Sequence, residues 1–201
     1  MKLSSSSWSF HRTFGAGQMD QFSWLDFCAG KLRLDGVELL DFHFPNTEPS
    51  YLKDIKKYAT DRGLTICCAS VSNHFTGHYQ DAQNDVEKVK KWIDIAQVLG
   101  APVVRVFAGS GEEMSKQVIY DQAVECLQKV AMYAEHVGVV LGLENHGGTT
   151  AEQVLALLRD VQSPWLKLTL DTGNFPPSET YKSIEACLPH AVIVHAKLYE
   201  L

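Results

Sequence analysis

Two acids, two imidazoles and a lysine close three apolar runs in the second half of this chain. The phrases are Gly142-Leu143-Glu144-Asn145-His146, Leu170-Asp171-Thr172-Gly173-Asn174 and Val194-His195-Ala196-Lys197. Each run is β-prone and passes into a loop of glycine, proline or polar residues. Side chains two apart on a strand face the same way, so Glu144 pairs with His146 and His195 with Lys197, with Asp171 joining them from the strand between. Glu144, Asp171 and His195 form a mixed oxygen and nitrogen ligand set suited to Mn²⁺, Mg²⁺, Co²⁺ or Zn²⁺, and its lack of thiolates argues against a structural zinc. A metal held there would polarise a carbonyl or adjacent hydroxyl as a Lewis acid. Removing the neighbouring carbon-bound proton then gives an enediolate. Reprotonation isomerises or epimerises, whereas loss of hydroxyl dehydrates. The catalytic set expected from this chemistry is Glu144 with His146 or Lys197 as proton carrier. A lone strand-end acid more often caps a turn, as Asp171 could for Thr172-Gly173-Asn174. Three such residues in order favour the metal.

These side chains need strands to aim them. The patterning predicts strands over residues 2–10, 36–42, 64–71, 103–107, 139–143, 166–170 and 192–196. Helices are predicted over residues 21–31, 51–62, 82–99, 116–136, 151–161 and 181–188, several closed by a glycine such as Gly63, Gly100 or Gly138. Gly109-Ser110-Gly111 reads as a turn. Such alternation implies a parallel sheet flanked by helices. No linker or low-complexity tract divides the chain, so one domain over residues 1–201 is expected. The first βα turn contains Gly15-Ala16-Gly17 but no third glycine, so the dinucleotide fingerprint is incomplete and no organic cofactor is expected. Chemistry spread over the ends of several strands instead suits a (β/α) barrel, whose active site lies at the strand C-termini.

Composition is that of a globular protein: 45% hydrophobic and 21% charged over 201 residues. The net charge of −6 gives no footprint for nucleic acid. No run approaches the ~18 apolar residues that span a bilayer, and the N-terminus lacks the apolar core of a secretory signal. The five cysteines, Cys28, Cys67, Cys68, Cys126 and Cys187, lack CxxC spacing and read as reduced thiols of a cytoplasmic protein.

The phrases LGLENHGGTTAEQVLALL, SPWLKLTLDTGNFP and AVIVHAK resemble the sugar phosphate isomerase/epimerase family of xylose-isomerase-like barrels. The resemblance extends to GVELLDFHFP, CASVSNHF and LGAPVVRVF. It implies a metal-dependent TIM-type barrel acting on a small sugar or polyol, its metal held by a Glu, an Asp and a His after the fifth, sixth and seventh strands and by a Glu after the eighth. The first three fall on Glu144, Asp171 and His195. The fourth has no counterpart, since a closed barrel of this type typically runs to about 250 residues. The expectation is therefore an incomplete barrel of about seven strands lacking the C-terminal eighth βα unit, with open edges through which copies could associate. Glu200 is a poor substitute ligand, lying beyond His195.

Four further residues are expected at the substrate. Glu38 interrupts an apolar strand, where a lone carboxylate is costly to bury, so it should face the polar mouth or pair with Arg105. Arg105 interrupts its own strand and suits a carboxylate or phosphate. His74 follows the third strand, placed for substrate hydroxyls or simply for its loop. Asn174 stands where ketose epimerases of the family often carry a His. Trp8 and Phe107 could stack on a sugar ring, with core packing the commoner fate. The leading function is isomerisation or epimerisation of a small sugar or sugar phosphate. The alternatives are dehydration of a polyol or cyclic acid of dehydroshikimate or inosose type, suggested by Glu-x-His, His-x-Lys and Arg105, and a non-catalytic barrel that assembles through its edges. Repair endonucleases of the superfamily, with many His ligands and a basic face, fit poorly.

Overall fold

The computed structural model describes residues 1–109 and 115–197. Glu200 and most of the Gly109-Ser110-Gly111 turn lie outside the described residues. The elements alternate as expected: β1 (Ser4–Ser6), α1 (His11–Gly15), α2 (Gln21–Gly30), β2 (Gly36–Leu40), α3 (Pro49–Asp61), β3 (Thr65–Ser70), α4 (Tyr79–Leu99), β4 (Val103–Val106), α5 (Lys116–Val137), β5 (Val140–Glu144), α6 (Ala151–Val161), β6 (Leu166–Asp171), α7 (Thr180–Cys187) and β7 (Ala191–His195). The seven parallel strands follow one another in the order β1 to β7, a (β/α) fold of TIM-barrel type with no eighth strand among the described residues. No helix among them is long and apolar enough to cross a membrane.

Local chemistry sets the boundaries. The strand expected over residues 2–10 stops at Ser6, and Ser7–Phe10 is a 3-10 turn. Serine hydroxyls take over the backbone there: Ser6 Oγ accepts from Trp8 N, while Ser7 Oγ accepts from Leu40 N and contacts the His43 ring. Hydroxyls that bond local backbone compete with a ladder in this way. Helix starts carry side-chain caps, namely the Asp20/Ser23 and Thr150/Gln153 capping boxes of α2 and α6 and Ser115 on α5. The helix expected from residue 82 begins earlier, at Tyr79.

The chain forms two compact units, Met1–Ser72 with Lys91–Val104, and Asn73–Lys90 with Arg105–Leu201. In the first, β1 pairs with β2 from Ser4↔Gly36 to Ser6↔Glu38. Gly36 has no room for a side chain, because a Cβ there would stand 2.7 Å from the Thr65 carbonyl oxygen. The register between β2 and β3 shifts at Val37/Glu38. Trp24, Leu25, Leu39 and Ile55 fill this core.

In the second unit β5, β6 and β7 pair in parallel, with Glu144 opposite Thr169 and Asp171 opposite His195. Leu141, Leu143, Leu168 and Leu170 are buried with Leu127, Val130 and Leu157 from α5 and α6. Strand alternation then puts Glu144, Thr169, Asp171 and His195 together on the other face. None of the five cysteines is in a disulfide among the described residues, four of them are buried, and burial pushes the Cys28 thiol up to about 11.

Candidate functional site

Glu144, Asp171 and His195 are each the last residue of a strand, β5, β6 and β7. Each offers a ligand atom, and these atoms lie within 4.8 Å of one another. Both carboxylates are buried and the imidazole is partly covered. Two hard oxygens and one imidazole nitrogen, converging from three rigid strand ends, fit a divalent cation. His195 Nδ1 lies 3.8 Å from Glu144 Oε2. The Asp171 carboxylate is oriented by its own turn, since Oδ1 accepts from Gly173 N at 2.8 Å. The turn thus engages one Asp171 oxygen, which is compatible with a ligand role for the carboxylate.

Two cations and an amide surround the acids. Arg105 Nε stands 3.1 Å from Glu144 Oε2, with both side chains only 7% exposed. Asn174 Nδ2 donates to Glu144 Oε1 at 3.2 Å, and Asn174 Oδ1 accepts from Lys197 Nζ at 3.0 Å. Lys197 Nζ also lies 3.9 Å from Asp171 Oδ2. Lys197 is therefore turned toward the acids rather than spread along the sheet edge, and Asn174 bridges two site residues.

Removing one partner of a buried ion pair leaves the other charge uncompensated, which costs about 3 kcal/mol or more. Arg105→Met is accordingly expected to lower the urea-unfolding free energy of chelator-treated protein by about 3 kcal/mol, against about 1 kcal/mol or less for an exposed pair. Added Mn²⁺ should recover much of that loss, because a cation beside Glu144 replaces the missing charge. A variant that unfolds like wild type with and without Mn²⁺ would show that the pair carries no such energy.

His146 follows β5 at the rim. Its ring centroid lies 4.6 Å from that of Phe107, and the Arg105 guanidinium carbon lies 4.0 Å from the same Phe107 centroid. Partial burial, then the positive charges of Arg105 and Lys197, push the His146 imidazole below its ordinary value, with Asp171 pulling the other way. His146, Phe107, Glu144 and His74 line a cavity of about 190 Å³. His74 is exposed, its Nδ1 held at 2.8 Å from the Thr76 carbonyl, so its loop uses one of its two ring nitrogens. Phe107 therefore lines the cavity instead of filling the core.

Two expected residues lie in the first unit. Glu38 is 3% exposed, its carboxylate accepting from Ser6 Oγ at 3.2 Å and Ser70 Oγ at 2.7 Å. Trp8 is not core packed: it is 51% exposed, stacked on His11 at 4.3 Å with Phe42 at its edge.

Sequence reasoning missed Asn145. Strand alternation turns it away from Glu144 and His146, which removed it from the inward-facing set. Yet its side chain is 1% exposed and bonds both backbone groups of Asp171, with Nδ2 donating to Asp171 O at 2.8 Å and Oδ1 accepting from Asp171 N at 2.7 Å. The available signal was an asparagine shortly after a strand where the chain leaves the sheet, which occurs also at Asn73 beyond β3.

A family model described as Xylose isomerase-like TIM barrel matches residues 29–198. Among solved structures, the D-psicose 3-epimerase of Clostridium cellulolyticum H10, determined with D-tagatose, superposes with a TM-score of 0.80 at 16% identity, over 96% of this chain and 72% of that one. The probable 3-DHS dehydratase AsbF of Bacillus anthracis, involved in petrobactin synthesis, gives 0.78 at 21% identity over 96% and 72%. A xylose isomerase-like TIM barrel protein of Mycobacterium smegmatis in complex with magnesium gives 0.76 at 17% identity over 98% and 74%. At these identities the likeness establishes the fold.

Proposed function

The chain belongs to the xylose isomerase-like TIM barrel family, and on that premise we propose that it is a divalent-metal-dependent isomerase or epimerase of a small sugar, sugar phosphate or polyol. One observation carries this: the ligand atoms of Glu144, Asp171 and His195 converge within 4.8 Å at three adjacent strand ends. Those residues would hold Mn²⁺, Mg²⁺, Co²⁺ or Zn²⁺, which supplies Lewis-acid polarisation of a carbonyl and its neighbouring hydroxyl. Magnesium is the ion of the mycobacterial neighbour. Arg105 and Asn174 orient the Glu144 carboxylate, while His146 takes a carbon-bound proton and returns it to the adjacent carbon or the opposite face. His74 at the cavity and Asn174 beside Glu144 contact substrate hydroxyls.

A second reading is dehydration of a cyclic acid, the chemistry named for the Bacillus anthracis neighbour. It is favoured by the two cations, Arg105 and Lys197, which stand beside the acids and would leave the loaded site positive toward a substrate carboxylate. Five cysteines outside any disulfide accord with a reducing, cytoplasmic setting. Val192 and Val194 on β7 are 43% and 49% exposed, which supports association between copies through that strand.

Incubation of Mn²⁺-loaded protein with a panel of ketoses, sugar phosphates and cyclic acids in D₂O separates these readings. Isomerase or epimerase activity puts solvent deuterium on carbon and otherwise conserves mass, whereas dehydration removes water and creates a conjugated ultraviolet chromophore. Native mass spectrometry of the same sample reports metal and oligomer together. A metal-free oligomer that exchanges no proton with any substrate would overturn both enzymatic readings in favour of a non-catalytic assembly.

A further inference from the structure

We infer that Asn145 is the positioning residue that sets the spacing of the three ligands, an inference that rests on the metal site proposed above. The ladder between β5 and β6 ends at Glu144↔Thr169. Asp171 lies two residues further on, where β5 has already ended and its chain approaches Gly147-Gly148, at φ values of 69° and 78°. On that side the Asp171 N–H and C=O have no backbone strand to meet. The Asn145 amide takes the place of the missing peptide, bonding both groups at 2.7 and 2.8 Å from a position 1% exposed.

The connection then runs on to the third ligand. Thr172 N, next along from Asp171, donates to the His195 carbonyl at 3.0 Å. Glu144 is covalently joined to Asn145, Asn145 clamps Asp171, and the residue after Asp171 ties His195. All three ligands therefore sit on one short connected path, with a buried amide at its first link. Metal–ligand distances tolerate only about 0.2 Å of departure, so slack at that link reaches the ion directly.

The fold contains its own control. Asn73, just beyond β3, clamps Phe107 in the same way, with Nδ2 donating to Phe107 O at 2.8 Å and Oδ1 accepting from Phe107 N at 2.9 Å. Phe107 is not a ligand. Losing either clamp strands two backbone groups, buried at Asp171 and partly buried at Phe107, so both variants should lower the melting temperature. Only one should change the metal.

Titration of Mn²⁺ into wild type, Asn145→Ala and Asn73→Ala, read by calorimetry and by the Mn²⁺ paramagnetic resonance spectrum, tests this. Asn145→Ala should raise the Mn²⁺ Kd by about 10- to 100-fold, the range for loss of a partner that orients a ligand, and broaden the spectrum. Asn73→Ala should keep the wild-type Kd and spectrum. If Asn145→Ala does not fold, Asn145→Ser, which is smaller but still polar, should show the same direction of change. An unchanged Kd in folded Asn145→Ala or Asn145→Ser, or an equal loss in Asn73→Ala, overturns the positioning role and leaves the metal site standing. A wild type that takes up no Mn²⁺ removes the metal site and this inference together.

Discussion

Asp171→Asn is expected to cut turnover by about 10³-fold or more, because the Lewis-acid stabilisation supplied by a bound ion is worth several kcal/mol and each 1.36 kcal/mol is tenfold. The substitution isolates charge from shape. Asn retains an Oδ1 that can accept from Gly173 N, as Asp171 does at 2.8 Å, so the turn survives. The Asn145 clamp grips the backbone of residue 171 and does not depend on its side chain. Glu144→Gln is a less clean probe, because Glu144 accepts from Asn174 and pairs with Arg105, and a new amide NH₂ would face a donor on one side. The measurement is Mn²⁺ content by elemental analysis alongside initial rates and melting temperature. Lost metal and lost turnover at an unchanged melting temperature in metal-free buffer is the expected pattern. Full Mn²⁺ occupancy in Asp171→Asn would refute its role as a ligand.

Much of this arrangement was legible because it depends on short-range rules. Alternation along β5, β6 and β7 placed Glu144, Asp171 and His195 on one face, and the apolar runs ending in them located the strand ends to within a residue or two. Helix ends were legible where they carry a named cap, as at Gly138 with φ 83°. What escaped depended on partners distant in sequence. Nothing near Asn145 announces that its amide will bond residue 171, and nothing near Arg105 selects Glu144 over another acid. Ser4–Ser7 looked like a strand continuing to Phe10, yet the hydroxyls of Ser6 and Ser7 were captured by backbone groups as far away as Leu40. Core packing was the commoner expectation for Trp8, with stacking on a sugar ring the alternative, but beside the turn those serines make it is half exposed and stacked on His11.

The proton carrier gives the second large effect, and geometry ranks the two candidates. Lys197 Nζ is already committed to Asn174 Oδ1 at 3.0 Å and sits 3.9 Å from Asp171 Oδ2. His146 lies tilted against Phe107, is exposed and lines the cavity shared with Glu144, and no hydrogen bond engages its ring nitrogens among the described residues. A group that must accept and return a proton needs such a nitrogen within reach of substrate. His146→Gln is therefore expected to lower kcat by about 10²- to 10⁴-fold, the usual contribution of a positioned acid–base group, with Mn²⁺ bound as in wild type. Lys197→Met should have the smaller effect on kcat and should weaken the hold on Asn174, raising KM. Solvent-deuterium exchange into substrate follows the proton step directly, so the two variants separate even where net turnover is too slow to measure. Exchange abolished in Lys197→Met and preserved in His146→Gln would reverse the assignment and make the ammonium, not the imidazole, the group that meets the carbon-bound proton.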